Sequence, residues 1–116
     1  MRRFVYLGPE GTFAEQALLT LTEGQPVSRT PARSVPEALE AVRGGEADAA
    51  VIPLENSIGG AVGITLDELA VGEPLMIVEE VVLPVEFVLA ARTAVDLSSV
   101  RTVIAHPLAS AQCRTW

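Results

Sequence analysis

Phe4-Val5-Tyr6-Leu7-Gly8-Pro9-Glu10-Gly11-Thr12-Phe13 joins a short apolar run to a polar turn and then to the first residue of a helical pattern. The run is rich in β-formers and closed by Gly8-Pro9, so it reads as a buried strand. Thr12 offers an N-cap, and Glu15 three residues on completes a capping box. Phe13, Ala17, Leu18 and Leu21 then follow at helical spacing until Gly24 stops the helix. A strand that ends in a glycine-bearing turn and enters a helix is the opening unit of an α/β sheet. Open sheets of that kind take ligands in the crevice beyond the carboxyl ends of their strands.

Outward from that stretch the same grammar repeats. Ser34 with Glu37 forms a second capping box, with Pro36 tolerable in the first turn. Val35, Ala38, Leu39 and Val42 supply an apolar face that Gly44-Gly45 end. A short strand is expected near Val27. Ala47 to Leu54 is almost continuously apolar, as in a strand covered on both faces. The alternation predicts a parallel sheet with right-handed crossovers. Thr65 and Glu68 mark a third capping box, opening a helix through Leu66 and Leu69 to Gly72.

Leu75 to Ala90 is extended, broken only by Pro84, and longer than the roughly 5 or 6 residues of an ordinary strand. A segment of that length can leave one sheet and enter another. This places a lobe boundary there: residues 1–76 as a first α/β lobe, 77–116 as a crossing segment and the start of a second. A short helical piece at Asp96–Val100, a strand at Thr102–Ala105 and a helix from Pro107 are expected next. That helix meets no stop signal before Trp116, which reads as a chain cut from something longer.

Composition narrows the function classes. The 116 residues are 49% hydrophobic and 20% charged, a globular balance. A net charge of −7 and the lack of a basic cluster argue against nucleic acid and anionic membranes as partners. No apolar run reaches the roughly 18 residues of a membrane span. The few apolar residues after Arg2-Arg3 are too short for a signal-peptide core, and the single cysteine, Cys113, suits a reducing compartment. A cytoplasmic protein is expected.

Three strand ends carry polar groups. Gly11 and Thr12 put backbone amides at a helix N-terminus, where partial positive charge favours a carboxylate. The plainer account is a turn and a cap contributing about 1 kcal/mol. Glu55-Asn56-Ser57 brings an acid, an amide and a hydroxyl to one place, able to orient an anionic or hydroxylated substrate. The same residues also suit a simple polar turn before Gly59-Gly60. His106-Pro107 opens the last helix, with His106 a natural N-cap. As the only histidine it rules out a metal site of several imidazoles, and neither metal nor cofactor is expected. Gln112 and Cys113 follow on that helix, where a lone cysteine is commonly a small core residue.

Together these motifs resemble the prephenate dehydratase family. The resemblance rests on Tyr6 to Phe13, on Val51-Ile52-Pro53-Leu54-Glu55-Asn56-Ser57 with Thr65-Leu66-Asp67 downstream, and on His106-Pro107 through Ala111-Gln112-Cys113. Order and spacing agree over essentially the whole chain. The resemblance implies a type II periplasmic-binding-protein-like architecture, two α/β lobes with the site in the cleft between them. It also implies conversion of prephenate to phenylpyruvate in phenylalanine biosynthesis, by a homo-oligomer (dimer or tetramer).

Carried over by position, Glu55 and Asn56 match the family's catalytic Glu-Asn pair. Gly11, Thr12, Ser57, His106, Gln112 and Cys113 match substrate-binding positions. Three positions depart: Ala105 stands where members usually have serine, Leu108 where they often have glutamine, and Gly59 where an acidic residue is usual. The family's Thr-Arg-Phe motif, whose threonine is the leading candidate for proton donation, is not among these residues. The resemblance therefore implies the front part of a catalytic domain, inactive by itself. Arogenate dehydratase, with the same chemistry on an amino-bearing substrate, is the near alternative. A non-catalytic binding lobe is the alternative of another class.

Overall fold

In the computed structural model, which describes residues 1–116, β1 (Arg2–Leu7) lies between β2 (Val27–Ala32) and β3 (Ala49–Val51). The sheet order is β2-β1-β3 and both pairings are parallel. Helix α1 (Phe13–Leu21) links β1 to β2, and α2 (Val35–Arg43) links β2 to β3. Successive residues of a strand face opposite sides, and β1 shares its side chains accordingly. Phe4 and Tyr6 bury with Leu18 of α1, whereas Val5 buries with Ala32, Ala47 and Ala38 of α2. The result is an α/β unit, a parallel sheet flanked by helices.

The first two expected boxes form by half, with the N-cap side chains bonding as expected and the glutamates turning to other donors, Gly11 N and Arg33 Nε. Thr12 Oγ1 accepts from the Glu15 amide at 3.3 Å, and Ser34 Oγ accepts from the Glu37 amide at 3.2 Å. At the other end of the sheet, the Arg3 amide and guanidinium each donate to Asp48 at 2.7 Å, tying β1 to the residue before β3. The third expected box does not form. Helix α3 (Gly63–Ala70) starts earlier, capped by Val62 without a side-chain bond. Thr65 is instead fully buried, and its hydroxyl donates to the Pro53 carbonyl at 2.7 Å. That carbonyl lies just past β3, where no strand pairs with it, so a buried hydroxyl satisfies it.

Two strands differ in length from expectation. β3 spans three residues because the chain turns away at Ile52 into a small antiparallel hairpin, β4 (Glu55–Asn56) with β5 (Gly60–Ala61). β2 pairs along its whole length from Val27 to Ala32, including Pro31 opposite Tyr6. An edge strand is where a sheet tolerates proline.

Residues 73–116 contain a 3-10 turn at Leu97–Ser99 and helix α4 (Pro107–Gln112), and no paired strand. The strand expected at Thr102–Ala105 is extended but unpaired, with Ile104 96% exposed. Along the extended stretch Val81, Leu83 and Val85 are half-buried, while Val82, Pro84 and Glu86 between them are exposed.

Candidate active site

Sheet topology brings the first two motifs together. Tyr6 pairs with Val51 in parallel register, so β1 and β3 end at the same edge of the sheet. From β1 the chain moves outward to β2 and then returns to β3 on β1's other side. Such a reversal of strand order opens a crevice between the loops that follow the two strands. Those loops are Gly8–Thr12 and Ile52–Ser57.

Helix α4 closes on them through contacts. A Cβ on Gly59, in the β4–β5 turn, would lie 3.3 Å from Leu108 Cδ2. Gln112 Nε2 donates to the Val85 carbonyl at 3.1 Å. Two residues on, Phe87 meets Phe13 edge to face, with ring centroids 5.7 Å apart. Phe13 directly follows Thr12, so residues 85–87 link the first and third motifs, while Leu108 approaches the turn after the second.

The first loop is held from within. Its amide at Gly8 donates to Ala32 O at 2.8 Å, and a Cβ on Gly8 would sit 2.8 Å from Pro31 Cβ, so only glycine fits. Gly11 has φ +84°, open to glycine and strained for other residues. Its amide does not face a ligand as expected from the sequence: it donates to Glu15 Oε2 at 2.6 Å. The Thr12 hydroxyl is likewise engaged, donating to Leu7 O at 2.9 Å while accepting from Glu15. The amides left without intrahelical acceptors at this end are those of the first turn of α1. Tyr6 is buried and donates to Glu15 Oε1 at 3.3 Å. Burial first, then the nearby Glu15 and Glu10 charges, raises its phenol above the ordinary value.

The second loop divides the work of Asn56. Its Oδ1 accepts from the amides of Ile58 and Gly59 at 2.9 and 3.0 Å, closing an Asx turn. That leaves the Nδ2 hydrogens as donors. Glu55 is exposed, lies opposite Ala61 in the hairpin and makes no side-chain hydrogen bond or ion pair. Ser57 is exposed beside them.

In the third motif His106 caps α4, its Nδ1 accepting from the Leu108 amide at 3.1 Å. Cys113 is an exposed free thiol at the end of α4 and not a core residue. No cluster of three His, Cys, Asp or Glu is arranged to hold a metal. A cavity of about 340 Å³ between β2 and α2, lined by Pro31, Glu37 and Glu40 among others, is separate from these loops. No helix is long and apolar enough to cross a membrane.

Two residues that tie these segments together were not singled out from the sequence. Glu15 was visible only as a capping residue, which concealed its second bond to Tyr6. Phe87 gave no local signal, because its role depends on where the extended stretch passes.

Comparison with known proteins follows the same outline. The family model for prephenate dehydratase matches residues 4–116. A prephenate dehydratase of Mycobacterium leprae is 48% identical over 98% of this chain and 38% of its own length. That of Amycolatopsis methanolica is 52% identical over 100% of this chain and 37% of its own. The chain thus spans under two-fifths of the length of these relatives. Among solved structures, prephenate dehydratase from Arthrobacter aurescens, in complex with L-Phe, superposes with a TM-score of 0.60. That match is 47% identical and covers 66% of this chain and 25% of the other. By its motifs, its fold and these matches, the chain belongs to the prephenate dehydratase family.

Proposed function

We propose that this chain supplies part of the substrate site of an enzyme that converts prephenate to phenylpyruvate. The observation that carries the reading is that the Gly8–Thr12 and Ile52–Ser57 loops leave the same sheet edge, with α4 against the β4–β5 turn that follows the second. In the reaction the ring carboxylate leaves as carbon dioxide. Its bonding electrons complete the aromatic ring as the ring hydroxyl departs, protonated, as water. The enzyme must therefore hold two carboxylates and assist a leaving hydroxyl, and general-acid help of that kind contributes roughly 10²–10⁴-fold.

The parts are suited to these tasks. The first turn of α1 and the Asn56 Nδ2 group hold anionic oxygens. Glu55 stands next to Asn56 as the acid, or as the group that orients one. Ser57, His106, Gln112 and Cys113 belong to the substrate-facing set, although Gln112 and His106 also hold the backbone of residues 85 and 108. Residues 1–76 form the first lobe of a type II periplasmic-binding-protein-like pair, and 77–116 cross into the second. The enzyme works in the cytoplasm as a homo-oligomer, and light scattering at several concentrations should return a mass above one chain.

Substitutions test the site directly. In the whole enzyme, Glu55→Gln and Asn56→Asp should each lower kcat/KM for prephenate by roughly 10²-fold. Aspartate keeps the acceptor that closes the turn but exchanges the donor for a negative charge, so binding of an anion should suffer while circular dichroism does not change. Wild-type kinetics in both variants would sink the assignment.

A further inference from the structure

We propose that Glu15 is a positioning residue of the site, fixing the shape of the Gly8–Thr12 loop by joining its apex to the sheet. The proposal rests on the reading of that loop as part of the prephenate site and adds a residue to it. Glu15 lies on the first turn of α1, and its two oxygens have different donors. The Gly11 amide reaches Oε2 at 2.6 Å, and the Tyr6 hydroxyl reaches Oε1 at 3.3 Å. These donors come from opposite sides of the loop. Tyr6 stands in the central strand with 1% of its surface exposed, and Gly11 is the residue just before the helix cap.

An ordinary capping box sends this carboxylate to the amide of the capping residue itself. Here it takes the amide one residue earlier, at the position with φ +84°. Glu15 thereby ties a left-handed glycine to a buried ring. A short hydrogen bond from an amide to a carboxylate belongs to the stronger class. Tyr6 does not itself serve as a proton donor to substrate, because its ring is enclosed. What Glu15 controls is where Thr12 and the first turn of α1 present their amides.

The test compares Glu15→Ala, Glu15→Gln and Tyr6→Phe in the whole enzyme, reading kcat and KM for prephenate, the pH profile, and Gly11 amide exchange by NMR. Misplacement of a binding group by about 1 Å can cost roughly 10²-fold, so Glu15→Ala should lose that much in kcat/KM, mainly through KM. Exchange at Gly11 should accelerate in the same variant. Glutamine keeps an acceptor for Gly11, so Glu15→Gln should recover most of the loss with the wild-type pH profile.

Unchanged KM and unchanged Gly11 exchange in Glu15→Ala would overturn the proposal. So would a Glu15→Gln variant as impaired as Glu15→Ala with a displaced pH profile, since charge would then be the requirement. If Glu15→Ala does not fold, Tyr6→Phe decides: faster Gly11 exchange and a smaller rise in KM support the bridge, and wild-type values refute it. Absence of turnover by the wild-type enzyme would refute the proposed function alone. Gly11 exchange would still report whether Glu15 holds the loop.

Discussion

Residues 73–116 are richer in apolar side chains than residues 1–72, yet all twelve buried residues fall between Phe4 and Thr65. In the first region each strand face has a helix to meet it, and small residues such as Ala17, Ala32 and Ala38 let the layers close. In the second region Met76, Val78, Val82 and Val88 are each at least 79% exposed. The molecule as a whole registers the difference. Its accessible surface is 8734 Å², where a compact protein of this mass exposes about 6,100 Å². Its radius of gyration is 16.7 Å, against about 13 Å for a compact chain of this length. Apolar content decides what wants to be buried; layering decides what is.

The strongest way to break this comparison is to make equivalent truncations on both sides. Leu18 is fully buried, and Leu18→Ala should cost about 2–5 kcal/mol in urea unfolding. Val88→Ala, in the exposed stretch, should stay within about 0.5 kcal/mol. Equal losses would mean that the second region is as well packed in solution as the first.

Arg43 tests the boundary between the regions. Its side chain is 10% exposed. Its guanidinium donates to the carbonyls of Glu68, Val71 and Glu73 at 2.8, 3.2 and 3.2 Å, all near the end of α3. Arg43→Ala should cost about 1–2 kcal/mol, since one part-buried carbonyl, that of Glu68, and two exposed ones lose a charged donor. Lysine should not restore it, lacking the planar fork. A fully stabilising Arg43→Lys in the same unfolding assay would show that charge alone suffices there.

The smallest effect expected is electrostatic and confined to the sheet. Hydrogen bonds from the Arg3 side chain and then its backbone hold the Asp48 carboxyl down at about 2. A depressed carboxyl contributes stability in full above its unfolded value of about 4 and loses it as the pH falls toward 2. The stability gap between the wild-type chain and Asp48→Asn should therefore narrow from pH 5 to pH 2. A gap that stays constant with pH would exclude this linkage.

Much of the first region was legible because its signals are local. Thr12 with Glu15 and Ser34 with Glu37 announce helix starts within four residues, and Phe4–Leu7 ends at an unambiguous turn. The loops that leave one sheet edge were legible too, once the parallel order was inferred. What escaped depends on distance along the chain. Only a short strand is expected near Val27, and pairing with β1 extends it through Arg29-Thr30-Pro31 to Ala32. Thr65 carries a helix-start signature, but its hydroxyl is claimed by Pro53. The roles of Arg43 and Glu15 likewise lie in partners that no spacing rule points to. In the second region, Thr102–Ala105 has strand composition and no neighbouring strand, so propensity alone could not make it one.

Gly59 and Leu108 are two of the positions at which the chain departs from the usual pattern of the family it resembles, and they touch. Leu108 Cδ2 lies 3.3 Å from where a side chain at position 59 would begin. An acidic residue placed at 59 alone would press its first carbon against that methyl group. Asn56 Oδ1 lies 3.9 Å from the same point, so a side chain placed there also faces Asn56. Leu108 thus occupies room that the start of a side chain at 59 would need, and its flexible end must shift by a few tenths of an ångström to admit one. The cost of filling position 59 should therefore depend on the residue at 108.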